Sequence, residues 1–249
     1  MSELIEKALQ FAAVKHEGHH RKGTLIPYIT HPVCVAFLLK EAKASEEVIA
    51  AGLLHDTIED TSATEAEVGE QFGDEVLRLV QAASEPDKTL PWEERKRHTV
   101  EDLKNRSADE LALITADKLH NVRSIELDAQ VIGGDAWLRF NRGKRDQSWY
   151  YMSIVNRLKN HKKDVPLVKD LSKTVYGLFT GKKKLKKKDI ALLIGYAGDP
   201  SEEKRQELEE AGLLRFADEV AESAAIYSGP NEIILLRELF GGRQCRTRS

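Results

Sequence analysis

Apolar residues recur every three and four positions over most of the first 180 residues, and the strict alternation of a half-buried strand is missing there. The pattern predicts an all-α core. Ser2 is placed to cap a first helix carrying Ile5, Ala8, Leu9 and Ala12 on one face and ending before Gly18. A basic, glycine-bearing loop follows. Pro32 suits the first turn of a second helix, and Ser45 caps a third that runs through Val48, Leu53 and Leu54 and leaves His55-Asp56 near its end. Ser107-Ala108-Asp109-Glu110 reads as a capping box that opens a helix with Leu111, Ile114, Leu119 and Val122, so Asp117 falls well inside it.

The pattern changes beyond about residue 162. Gly181 precedes the lysine-rich stretch Lys182–Lys188, and two short apolar runs, Ile190–Ile194 and Ile233–Leu236, flank a polar helix expected over 201–211. The organisation this suggests is a helical domain over 1–162, a helix and lysine-rich linker over 163–188, and a small annex over 189–249 that reads as α/β. A length of 249 residues accommodates one sizeable core plus an extension. The lysine run reads first as a solvated linker and only second as a grip for an acidic surface or an RNA backbone.

Composition narrows the setting. No uncharged apolar run approaches the roughly 18 residues of a membrane span, and the N-terminus has no basic segment leading into an apolar stretch. Cys34 and Cys245 are too few for a disulfide framework. A soluble cytoplasmic protein with no membrane partner is expected. A net charge of -3 provides no global field to recruit nucleic acid, and nothing speaks for or against a homo-oligomer.

The chemistry-bearing residues lie between His31 and Asn121, on three separate predicted helices: His31-Pro32, His55-Asp56-Thr57-Ile58-Glu59-Asp60-Thr61, and Ala116-Asp117-Lys118-Leu119-His120-Asn121. Neighbours on a helix point about 100° apart, so His55 and Asp56 share an ion only where other helices complete the shell. His31 and Asp117 are available to do so. Two imidazoles and two carboxylates form a mixed nitrogen and oxygen set that suits manganese, iron or zinc better than calcium. Hydrolysis also needs a carboxylate to take the proton of the attacking water, and Glu59 is favoured for that role with Asp60 supporting it, the two being open to exchange.

These blocks, with Arg21-Lys22-Gly23, Pro27-Tyr28-Ile29-Thr30-His31-Pro32 and the continuation to Val122-Arg123, resemble the hydrolase domain of Rel/SpoT alarmone enzymes and the small stand-alone alarmone hydrolases over roughly residues 1–160. Asp87-Lys88-Thr89-Leu90-Pro91 and Glu94-Arg95-Lys96-Arg97 resemble the segment between the motifs in the small hydrolases. The resemblance implies an all-helical HD fold, one manganese ion, and removal of the 3′-pyrophosphate from guanosine tetra- or pentaphosphate. It further implies metal binding by His31, His55, Asp56 and Asp117, water activation by Glu59 and Asp60, and nucleotide contacts at Arg21, Lys22, Asn121 and Ser124. An aromatic contact is implied at Trp149 or Tyr150. The short loop from Lys22 to Pro27, and Ser124 where the bifunctional enzymes commonly have threonine, bear on base preference rather than on the chemistry. The remaining chain is too short for a synthetase domain, so hydrolysis without synthesis is expected.

Blander readings stand beside these. His16-Glu17-Gly18-His19-His20 has metalloprotease spacing, but Gly18 and Gly23 argue against the continuous helix such a site requires, and a polar helix exit is favoured. His120 is read as a supporting or packing residue rather than a ligand, Cys34 as a small buried hydrophobe, and His98 and His161 as solvated. Two alternatives for the whole protein are an HD phosphohydrolase acting on another nucleotide, including NADPH, and a nucleotide-binding regulatory module.

Overall fold

A computed structural model describes residues 2–85, 89–180, 186–198 and 201–214, and among these there is no strand, only an isolated bridge between His20 and Pro27. The helices are α1 (Glu3–Lys15), α2 (Thr30–Glu41), α3 (Glu46–Leu54), α4 (Thr57–Asp60), α5 (Glu65–Phe72), α6 (Asp74–Ala83), α7 (Trp92–Asp102), α8 (Ala108–Ile132), α9 (Lys144–Leu158), α10 (Leu167–Thr180), α11 (Lys187–Gly198) and α12 (Glu202–Glu210). The expected caps form. Ser2 Oγ accepts from Ile5 N, Ser45 Oγ accepts from Val48 N, and Ser107 and Glu110 close a capping box at the start of α8. Because α1 ends at Lys15, the segment from His16 to His20 is not helical, and the metalloprotease geometry does not form.

The chain divides into two compact units, residues 1–139 with 157–171, and residues 140–156 with 172–249. In the first unit α3 is the central element. Every residue from Val48 to Leu54 is buried, and α3 packs against α1, α2, α6 and α8. A helix that is apolar all round has no face for water and must be surrounded. Glycine in a helix costs about 0.5–1 kcal/mol relative to alanine, but a Cβ at Gly52 would lie 2.6 Å from Leu39 Cδ1. The missing side chain is what lets α2 approach. Leu39, Leu54, Leu79, Leu111 and Leu119 complete the surrounding core.

Three connections position side chains used below. Between α1 and α2 the chain folds back on itself, with Tyr28 N donating to His19 O and Arg21 N donating to Ile26 O, each at 2.8 Å, and the turn uses Gly23 at φ +70°. Between α3 and α4 the His55-Asp56 step is tightened by Thr57 Oγ1 donating to Leu54 O at 2.7 Å. Between α6 and α7 the Glu85 carboxylate accepts from both Arg95 and Lys96. Asp87 and Lys88 of that segment lie outside the described residues.

In the second unit Tyr151 and Phe179 stack with centroids 6.2 Å apart, while Tyr196, Leu208 and Leu213 are buried around α11 and α12. Of the two apolar runs behind the α/β reading of the annex, Ile190–Ile194 lies in α11 and is no strand. A short apolar run has no period that separates strand from helix, and here the Asp189 carboxylate accepts from Lys186 N at 2.8 Å, satisfying an amide at the helix start. Ile233–Leu236, Cys245 and most of the lysine-rich stretch lie outside the described residues. Cys34 is half-buried on α2 rather than fully buried, on the side of the exposed Phe37.

Gly52→Val should lower stability by about 1–3 kcal/mol through overpacking against Leu39 and Val35; a urea midpoint equal to wild type would show that α2 yields freely. A second expectation concerns acid. Burial works to raise the Glu85 carboxyl, but Lys96 and Arg95 outweigh it and hold the group below its ordinary value. A depressed carboxylate contributes stability above its unfolded pKa, about 4.3, and loses it as pH falls through the folded value. The gap between the urea midpoints of wild type and Glu85→Gln should therefore be widest near neutrality and narrow below about pH 4; a constant gap would contradict this.

Candidate metal and catalytic centre

Four side chains from two helices and one turn converge. His31 is the second residue of α2, His55 and Asp56 occupy the turn that ends the buried α3, and Asp117 lies in the third turn of α8. One ligand atom each from His31, His55 and Asp117 lies within 4.8 Å of the other two, and all three residues are buried. His31 Nε2 is 3.2 Å from His55 Nε2 and 3.3 Å from Asp117 Oδ1. Asp56 Oδ2 is 3.1 Å from His55 Nε2 and 3.5 Å from His31 Nε2. The predicted quartet is brought together. Both histidines offer the same atom inward, and the mixed set of two nitrogens and two carboxylates fits a first-row divalent cation.

The electrostatics ask for positive charge at this point. Burial alone would make His55 neutral, yet Asp56 and Asp117 outweigh it and push the imidazole well above its ordinary range. Burial would raise Asp56, but the His55 charge and hydrogen bond, with His31, hold it low. Asp117 is likewise held low against burial, by Lys118 and both histidines. For His31 burial dominates and lowers the imidazole.

Each member of the quartet is supported from outside. His55 Nδ1 lies 2.9 Å from the Gly52 carbonyl, the Tyr28 hydroxyl donates to Asp56 Oδ2 at 2.6 Å, and Asn121 Nδ2 and Lys118 Nζ donate to the two Asp117 oxygens at 2.5 and 2.7 Å. His31 Nδ1 lies 2.7 Å from His120 Nδ1. His120 is thus a supporting residue, and burial, with His31 next, depresses its pKa to about 4. Burial and the Asp56 charge raise the Tyr28 hydroxyl far above its usual value, so it stays a donor. Tyr28, Lys118 and Glu85 were not singled out as functional from sequence. Tyr28 stands three residues before His31 and Lys118 directly after Asp117, but nothing local reports the bonds they make.

Glu59 and Asp60 lie on the single turn α4, directly after the His55-Asp56 turn. Glu59 Oε2 accepts from Glu85 N at 3.2 Å, which ties this carboxylate to the α6–α7 connection. Arg21 donates to Asn121 Oδ1 at 2.9 Å and lies 5.6 Å from the centre of the Tyr28 ring. Lys22 is exposed on the same loop, and Ser124 is half-buried on α8 two turns beyond Asp117. Trp149 and Tyr150 belong to the second unit, where Tyr150 is buried against Tyr151 with centroids 5.4 Å apart and Trp149 is half-buried. A cavity of about 140 Å³ is lined by residues that include Lys118, Glu85, His98 and Arg106.

Comparison with known proteins agrees with this geometry. The chain is 43% identical over 129 residues to the Mus musculus protein named guanosine-3′,5′-bis(diphosphate) 3′-pyrophosphohydrolase MESH1, a match that spans 50% of this chain and 70% of that one. It is 35% identical over 127 residues to the Aquifex aeolicus guanosine-3′,5′-bis(diphosphate) 3′-pyrophosphohydrolase, of which it spans only 18%. A solved structure described as a metazoan ortholog of SpoT that hydrolyzes ppGpp superposes with a TM-score of 0.60 at 30% identity, covering 72% of this chain and 96% of that one. A Listeria monocytogenes structure gives a TM-score of 0.57 at 41% identity over 60% of this chain and 98% of its own. Residues 8–132, which include every member of the quartet, the Glu59-Asp60 pair and the loop from Arg21 to Tyr28, match the HD domain, and the chain belongs to that family.

Proposed function

We propose that this protein is a metal-dependent pyrophosphohydrolase that removes the 3′-pyrophosphate of guanosine tetra- or pentaphosphate, yielding GDP or GTP and pyrophosphate. The observation that carries the reading is the inward convergence of two imidazole nitrogens and two carboxylates directly before a second carboxylate pair. The names of its relatives supply the substrate class. His31, His55, Asp56 and Asp117 would hold one ion, manganese in our reading, which supplies Lewis acidity at the phosphorus under attack.

The chain's own residues do the rest. Glu59 takes the proton of the attacking water, oriented for it by the Glu85 amide, and Asp60 supports the exchange. Arg21 carries a planar guanidinium suited to stacking on a purine, Lys22 a compact charge suited to phosphate, and Asn121 and Ser124 line the same face of α8. The metal and catalytic residues all precede residue 125, ahead of the 189–249 annex. The protein acts in the cytoplasm on a small-molecule substrate.

A nucleotide panel with manganese and product identification tests the whole reading. Guanosine tetraphosphate should yield GDP and pyrophosphate; orthophosphate alone, or turnover restricted to another nucleotide, would overturn it. Asp117→Ala and His55→Ala should each abolish turnover and lower manganese content measured by elemental analysis, because each removes one of four protein donors. Near-normal activity at limiting manganese would mean that the ligand set is wrong.

Glu59→Gln should retain metal and nucleotide but lose about 10²- to 10⁴-fold in kcat, the usual worth of a general base. The amide is nearly isosteric yet cannot take the proton. If Asp60→Asn loses more, the two roles are exchanged. If both variants keep wild-type rates at full metal occupancy, the pair is structural.

A further inference from the structure

A histidine that coordinates through Nε2 must carry its remaining ring proton on Nδ1. For His55 the backbone enforces this, because Nδ1 faces the Gly52 carbonyl at 2.9 Å, a group that can only accept. One tautomer satisfies both sides of that ring. His31 has no such constraint. Its Nδ1 faces His120 Nδ1 at 2.7 Å, and an imidazole nitrogen donates or accepts according to its own tautomer. Two ring nitrogens at that distance share one proton, and whichever ring carries it decides whether His31 presents a lone pair or an N–H to the centre.

We propose that His120 is a positioning residue that selects the tautomer of His31: it carries its own proton on Nε2, accepts from His31 Nδ1–H, and so keeps His31 Nε2 bare toward Asp117 and His55. The proposal rests on the metal-centre reading above. The supports of the other carboxylate ligands are unambiguous donors, the Tyr28 hydroxyl for Asp56 and the Asn121 amide and Lys118 ammonium for Asp117. At the His31 pair neither partner has a fixed role, so the outcome depends on the pair as a unit. His31 is 1% exposed, so no bulk water competes for its Nδ1–H, and removing the acceptor leaves a buried donor unsatisfied. The two rings sit 4.8 Å apart at 42°, tilted away from parallel stacking and consistent with an edge-directed hydrogen bond. Helix α8 therefore contributes twice, supplying Asp117 directly and, three residues later, the group that aims a ligand on α2. Losing such a partner of a ligating histidine typically weakens metal binding about 10- to 100-fold.

The test uses the full chain with zinc as a diamagnetic probe, its affinity measured by chelator competition, and long-range ¹H–¹⁵N NMR of the histidine rings. In zinc-loaded wild type the proton should reside on Nδ1 of His31 and Nε2 of His120. His120→Phe, which keeps a ring but cannot accept, should bind zinc about 10- to 100-fold more weakly, and His120→Gln, whose amide oxygen can accept, should recover most of the loss. Equal zinc affinity in wild type and His120→Phe, or a proton found on Nδ1 of His120, would overturn the tautomer assignment and leave the metal centre standing. Wild type that binds neither zinc nor manganese would overturn both. The ring-proton assignment is made on wild type, so it decides the matter even if His120→Phe does not fold.

Discussion

The burial of α3 from Val48 to Leu54 is the constraint from which the site follows. Seven consecutive residues from Val48 to Leu54 are shielded from water, and each large aliphatic side chain among them contributes about 1.5–3 kcal/mol by leaving it. A helix enclosed by α1, α2, α6 and α8 cannot rotate or slide without exposing an apolar face or colliding with a neighbour. Gly52 tightens the constraint by bringing Leu39 within reach of where a Cβ would be. The residues that follow the apolar run, His55 and Asp56, are therefore delivered to one place, at the ends of the same packing that brings in α2 and α8.

That place is costly in itself. Two carboxylates and two imidazoles taken largely out of water need partners, because an isolated buried charge is far less stable than a paired one. The structure meets the cost twice over, once by mutual attraction within the quartet and again through Tyr28, Lys118, Asn121, His120 and the Gly52 carbonyl outside it. Asn121 also joins two parts of the site. It donates to Asp117 and accepts from Arg21, so the loop that carries the proposed nucleotide contacts shares a hydrogen-bonded path with a proposed metal ligand. Glu85 makes a comparable link, its amide holding Glu59 while its carboxylate holds Arg95 and Lys96.

The match to the HD domain ends at residue 132, and the curated relatives account for about half of the chain. In the second compact unit, which takes residues 140–156 and 172–249, the regular elements among the described residues are all helices. Its buried aromatic and aliphatic residues, Tyr151, Phe179, Tyr196 and Leu208 among them, give it apolar contacts of its own.

What the sequence determined by itself was local or close to local. Ser2, Ser45 and the Ser107–Glu110 box announced three helix starts because a cap bonds only three residues ahead. The His55-Asp56 pair, His31 and Asp117 were legible as a set because their residue types leave few other reasons for being together. The run Ile190–Ile194 was ambiguous in sequence because five apolar residues have no period; it lies in a helix whose start Asp189 caps by accepting from Lys186 N. Only the tertiary structure assigned Tyr28 to Asp56, 28 residues away, the Glu85 amide to Glu59, 26 away, and His120 to His31, 89 away. A hydrogen bond acts over about 3 Å and leaves no periodic trace in the chain, so these partners became visible only when α2, α8 and the loops packed around α3.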